Sequence, residues 1–218
     1  MNPAISLDNV GIKYKRKGNI LRPASYFQAL SSISMDINHG ETVGIYGKNG
    51  SGKSTLLKVL SGILKPNSGT ITNHGVSVSL LALQAGFDPN LNGHENAVLG
   101  GMLHGLSRKQ ATANLPDIEE YADLGEFFYE PVRTYSTGML ARLGFSVAIT
   151  TQPDVLLIDE VLSVGDQDFR MKAERTIMTR VRSQQSVVIV SHSMPRLKQL
   201  CDRIIIIEDG QARTQETS

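Results

Sequence analysis

An α/β fold with a parallel, helix-flanked sheet is predicted by three features: a β-patterned first part, a helical middle, and a last third of alternating strands and helices. The last third carries the fold class. Val155 to Ile158, Val187 to Val190 and Ile204 to Ile207 are apolar runs of strand length, and runs apolar throughout mark strands buried on both faces. Between the first two runs, Phe169, Ala173, Ile177 and Val181 recur at steps of four, the spacing of one helix face. That alternation predicts a parallel sheet with flanking helices.

The first part, to about Leu83, reads as strands at Ile5 to Val10, Ser32 to Ile37, Thr42 to Tyr46, Thr70 to Thr72 and Val76 to Leu83. One helix interrupts it, with Leu56, Leu57, Leu60, Ile63 and Leu64 on one face, stopped by the turn sequence Lys65-Pro66-Asn67-Ser68-Gly69. The middle is helical: Ser107 with Gln110 three residues on forms a capping box, and Leu140, Leu143, Gly144 and Val147 fall at helical spacing. The 218 residues are therefore read as a single domain, with 1–86 and 151–218 forming the core and its β subdomain and 87–150 a helical insertion.

Composition narrows the function. Lys+Arg number 22 against 21 Asp+Glu, so no large basic footprint for nucleic acid is advertised. The apolar runs are strand-sized, well below the roughly 20 residues a membrane-crossing helix needs. The N-terminus shows no basic stretch followed by an apolar one, so no secretory signal is read and a cytoplasmic home is expected. Cys201 is the single cysteine, expected to be buried, and the five histidines lack the paired spacing of a zinc site.

Gly47-x-x-x-x-Gly52-Lys53-Ser54 matches the phosphate-loop pattern, after a predicted strand and before a predicted helix. Glycines at 47, 50 and 52 let the backbone bend tightly, so that successive N–H groups, including those of Asn49 and Ser51, turn onto phosphate oxygens at the positive end of a helix. Lys53 is expected to reach the β- and γ-phosphates and Ser54 to ligate Mg²⁺ through its hydroxyl. Thr55 either contacts phosphate or satisfies helix N-terminal donors.

Val155 to Ile158 runs into Asp159 and Glu160, a strand ending in two carboxylates. Successive strand residues point to opposite sides, so the two acids can take different tasks, Asp159 holding Mg²⁺ and Glu160 polarising the attacking water, with two acids capping the next turn as the alternative. His192 follows the strand Val187 to Val190 and would emerge at the carboxyl edge of the sheet, where it serves either as a γ-phosphate contact or as a hydrogen-bonded structural residue. The guanine-reading Asn/Thr-Lys-x-Asp motif is absent, which favours ATP over GTP.

Together these residues resemble the nucleotide-binding domain of ATP-binding-cassette transporters over nearly the whole chain. Tyr135-Ser136-Thr137-Gly138-Met139 stands where that family has its signature, usually LSGGQ; Ser136 and Gly138 match, and the other three positions differ. The resemblance implies a P-loop NTPase core of the RecA-like type with an antiparallel β subdomain and an inserted helical subdomain. It implies a homodimer in which Ser136 and Gly138 of one copy close over the ATP of the other, although Ser136 read alone is a helix N-cap. It assigns Asp166 to communication between the two sites, against the plainer reading of an N-cap, and His192 to the family's switch histidine. Tyr14 takes the place of the adenine-stacking aromatic, with Tyr26 and Phe27 as competitors. Gln84 is placed in the γ-phosphate-sensing loop, also as a metal ligand, although it stands one residue late relative to Pro89; an exposed polar strand end is the alternative.

Several details resemble the subgroup that exports capsules and O-antigens: the segment Lys17 to Phe27, Ala85 to Leu91 with Glu95-Asn96, the signature running into Ala141-Arg142-Leu143-Gly144-Phe145, and Asp159 to Asp166. The resemblance implies ATP and Mg²⁺ as cofactors, integral-membrane permease subunits as partners, a lipid-linked polysaccharide as cargo, and a peripheral position on the cytoplasmic face of the inner membrane. Eight residues follow Gly210, too few for the carbohydrate-binding domain some O-antigen members append. A drug or lipid exporter would share every catalytic residue; a cassette acting on ribosomes or DNA is the more distant alternative.

Overall fold

The computed structural model of the chain describes residues 2–16, 25–81, 86–159, 166–183 and 185–216. The chain forms two compact units, one of Met1–Val76 with Val181–Ser218 and the other of Ser77–Arg180.

The first unit holds two sheets. In one, β1 (Pro3–Arg16) pairs antiparallel with β2 (Ser25–Asn38) and with β4 (Ser68–Asn73), in the order β2-β1-β4. Both long strands run well beyond the segments predicted. Local irregularity hid their length: Asn9 and Ser32 adopt positive φ at shifts of register, so the apolar alternation slips part-way along. In the other sheet, β3 (Thr42–Tyr46) lies parallel between β7 (Ser186–Ser191) and β8 (Arg203–Glu208), and β9 (Gln211–Glu216) pairs antiparallel with β8. The β7 strand is buried at every position, as the continuous apolar run requires.

Helix α7 (Met194–Leu200) packs over β3 at Gly44, where an added Cβ would lie 3.0 Å from Cys201 Sγ and 3.2 Å from Leu197 Cδ2. Cys201 is buried there, and burial pushes its thiol up to about 12, which makes it a packing residue rather than a nucleophile. At the start of the same strands, Arg203 donates to Glu41 at 2.7 Å and to the Asp36 carbonyl at 2.7 Å, tying the β2-to-β3 turn to the start of β8.

Helix α1 (Lys53–Leu60) buries Leu56, Leu57 and Leu60 as the periodicity predicts, but it ends at Leu60. Gly62 takes a left-handed conformation (φ 75) with its N–H on the Val59 carbonyl, which turns the chain out of the helix. Ile63, predicted on the buried face, is consequently 65% exposed.

The second unit pairs β5 (Val78–Leu80) parallel with β6 (Val155–Ile158) and carries the helices α2 (Gly93–Leu103), α3 (Arg108–Ala113), α4 (Leu115–Ala122), α5 (Thr137–Thr150) and α6 (Gln167–Val181), with two 3-10 turns at Gly125–Tyr129 and Val132–Thr134. Leu115, Ile118, Phe128, Tyr135, Leu143 and Val147 meet in one apolar cluster. Ser107 and Gln110 form the predicted capping box of α3, and Asn92 with Glu95 forms a second one on α2. Phe169, Ala173 and Ile177 make the buried face of α6.

Candidate nucleotide site

In the first unit, β3 delivers the chain into the loop 47–52 and α1 leads out of it. Gly50 and Gly52 adopt φ values of 81° and 111°, conformations open to glycine and costly for other residues. At Gly47 the constraint is space: a Cβ would collide with the Ile207 carbonyl and lie 2.6 Å from Ser51 Oγ. Lys53 is buried to 8% exposure, and its ammonium donates to the carbonyls of Gly47 at 2.7 Å and Lys48 at 2.9 Å, which holds the loop curled around it. Ser51 Oγ is buried with no hydrogen-bond partner. Leaving such a hydroxyl unsatisfied costs roughly 1–3 kcal/mol. An open cleft of about 540 Å³ runs along the loop, bounded by residues 46–51 and 206–209, within the size range of small-molecule sites.

The register of the sheet places His192 with this loop. Tyr46 is paired with Ser191, so the phosphate loop and His192 leave neighbouring parallel strands at the same carboxyl edge, and His192 is exposed there. The β1–β2 pairing also separates the three competing aromatics. Tyr14 stands opposite Phe27 on one face of the ribbon, whereas Tyr26 stands opposite Lys15 on the other. The Tyr14 hydroxyl lies 3.5 Å from Thr55 Oγ1 on the first turn of α1, so the face of Tyr14 and Phe27 is the one turned to the phosphate loop.

In the second unit, Ser136 is the N-cap of α5, its hydroxyl accepting from Met139 N at 3.2 Å, with Gly138 in the first turn. Tyr135, which replaces the leucine usual at that position, is buried in the helical cluster and donates through its hydroxyl to the Phe127 carbonyl at 2.5 Å. Burial pushes that hydroxyl up to about 12, so the substitution anchors the signature turn and adds no acid or base. Asp159 follows the last residue of β6 and is partly exposed. Asp166 accepts from Phe169 N at 2.9 Å, which holds its carboxyl below the usual carboxylate range, with Arg142 at 3.3 Å adding to the effect. Gln84 and Glu160 lie outside the described residues.

Arg142 follows the Ser136 motif in sequence and has no role assigned from it. Its contacts with Asp123 and Asp166 span 19 and 24 positions and leave no local pattern to detect. Among the described residues no cluster of His, Cys, Asp and Glu suited to a metal ion occurs. The oxygen donors Ser54 and Asp159 suit Mg²⁺, which takes few protein ligands and keeps its water and phosphate oxygens. No helix of the described residues is long and apolar enough to cross a membrane.

A buried parallel strand running into a glycine-bent loop, a lysine curled beneath it and a helix opening behind it define a phosphate-binding-loop protein. Comparison with known proteins narrows the class. Residues 30–163 match the family model described as ABC transporter. The chain is 40% identical, over 98% of its length and 93% of the relative's, to an O-antigen export system ATP-binding protein of Klebsiella pneumoniae. It is 38% identical over 98% of its length to a teichoic acids export ATP-binding protein of Shouchella clausii, of which it spans 62%. Among solved structures it resembles the ATP-binding cassette MJ0796 in a dimeric post-hydrolysis state bound to ADP and Pi, with a TM-score of 0.78 at 22% identity over 98% of this chain and 99% of that one. The chain belongs to the ABC transporter family and is an ATPase domain of it.

Proposed function

We propose that this chain is the ATP-hydrolysing subunit of an exporter that moves a lipid-linked surface polysaccharide through a membrane permease, bound to that permease at the cytoplasmic face of the inner membrane. The observation that carries the reading is the 40% identity across 98% of the chain to an O-antigen export ATP-binding protein. The teichoic acids export relative supports the same kind of activity, ATP-driven export of a polymer.

Two copies pair head to tail around two ATP. Gly47, Asn49, Gly50, Ser51, Gly52, Lys53, Ser54 and Thr55 bind the phosphates, and the Lys53 ammonium, curled beneath the loop, is the group that gains most from an anion there. Tyr14, with Phe27 beside it, offers the adenine a ring face. Ser54, Asp159 and Gln84 are assigned to Mg²⁺, which when bound neutralises the charge of the β- and γ-phosphates. Glu160 accepts a proton from the attacking water and His192 donates toward the γ-phosphate. Ser136 and Gly138 offer backbone N–H groups and a hydroxyl at a helix N-terminus to the nucleotide of the other copy, and Asp166 connects the two sites.

Deleting the gene and assaying for glycan tests the cargo. Polysaccharide trapped inside the cell, together with co-purification of a polytopic membrane protein, is the expected result. Normal surface glycan in the deletion strain would reject the polysaccharide reading and leave the ATPase assignment intact.

A further inference from the structure

The C-terminus of α4 is held by cations from two other helices. In its last turn and C-cap the carbonyls of Tyr121, Ala122 and Asp123 each accept from one: Lys172 Nζ of α6 at 3.0 Å, Arg142 Nε of α5 at 2.9 Å and Arg142 Nη2 at 2.8 Å. Cations suit that place, because the last carbonyls of a helix lack partners within it and carry its negative pole. Arg142 does more than cap. The same guanidinium reaches the Asp123 carboxylate at 3.0 Å and the Asp166 carboxylate at 3.3 Å, and it sits 5.1 Å above the Phe169 ring on the first turn of α6.

One rigid, planar fork therefore joins three helices. Its own helix begins at Ser136, one of its carboxylates is Asp166, and the other, Asp123, belongs to neither sequence motif. Asp123 adopts a left-handed conformation (φ 48) as the C-cap of α4, which directs its carboxylate to the guanidinium that Asp166 shares. The Arg142 side chain is 18% exposed, whereas those of Asp123 and Asp166 are 80% and 60% exposed. Two solvated carboxylates held on one sheltered cation add little to stability, so the arrangement calls for another explanation.

We propose that Arg142 is a positioning residue that sets Asp166 relative to the Ser136 turn according to the position of the α4 C-terminus, with Asp123 as the carboxylate that reports that position. The inference rests on the reading of Ser136 and Asp166 as parts of the shared ATP site. It makes α4 the element through which movement of the helical segment reaches the hydrolytic machinery.

The test uses the full chain and reads kcat, KM for ATP and the thermal midpoint together. Asp123→Asn keeps a residue that tolerates the left-handed conformation and removes only the charge; Asp123→Gly is the second variant, with the backbone freedom to fold there. Both should lower kcat about threefold to tenfold with KM and midpoint unchanged. Arg142→Lys, which keeps the charge and loses the fork, should do the same. Asp123 and Asp166 are joined through Arg142, so the double variant Asp123→Asn/Asp166→Asn should lose less than the product of the two single losses. Wild-type kcat in both Asp123 variants, losses that multiply, or rate losses that accompany a fallen midpoint in both would each overturn the inference. If Glu160→Gln is inactive while the Asp123 variants match wild type, the inference alone has failed; if Glu160→Gln hydrolyses ATP normally, the site reading beneath it has failed.

Discussion

Gly47 has no room for a methyl group, because the Ile207 carbonyl and Ser51 Oγ occupy the space where one would go. Gly47→Ala should therefore displace the loop from β8, lower stability by about 1–3 kcal/mol in urea unfolding, and abolish binding of a fluorescent ATP analogue. The motif pattern marked Gly47 as a residue that lets the backbone bend; the structure shows that close approach to β8 is the stronger constraint. Lys53 and Ser51 were likewise named from the motif, yet the curled ammonium and the orphaned hydroxyl depend on where a loop folds back over itself. Arg142 marks the boundary of what residues reveal in sequence. Its motif position was visible, but its partners lie 19 and 24 positions away, joined only once three helices pack.

Elements were legible where one periodicity ran uninterrupted. The fully buried strands β6 and β7 and the α6 face of Phe169, Ala173 and Ile177 emerged as predicted. Where backbone irregularity intervenes, the pattern misleads. The β1–β2 ribbon outran its prediction across its register shifts, α1 stopped at Leu60 although apolar residues continued at helical spacing, and β9 went unpredicted because Gln211 to Glu216 is polar and pairs only along an edge. The Asp209-Gly210 pair, both at positive φ, was the hairpin signal available for β9. Capping was read correctly at Ser107, where the box closes in both directions. Ser107→Ala should cost about 1 kcal/mol, seen as a lower urea midpoint at unchanged slope. Its ATPase rate should stay at the wild-type level, since α3 carries no residue of the candidate site.

At the scale of the whole molecule, the residues proposed for the site divide between the units. The first holds the phosphate loop and His192, and the second holds the Ser136 turn, Asp159 and Asp166. On the proposed reading those residues work in pairs of copies, the ATP held by one being completed by the Ser136 turn of another. The proposed glycan cargo comes from the relatives, because no residue of this chain is assigned to cargo. The central claim is that two copies close on ATP, and the solution mass of Glu160→Gln, which should bind ATP without turning it over, tests it most directly. Light scattering should show a shift from 23.7 kDa to twice that mass on adding ATP and Mg²⁺, reversed by the further change Ser136→Arg. A variant that binds ATP tightly and remains at the single-chain mass, or that pairs equally well with Ser136→Arg, would contradict the account.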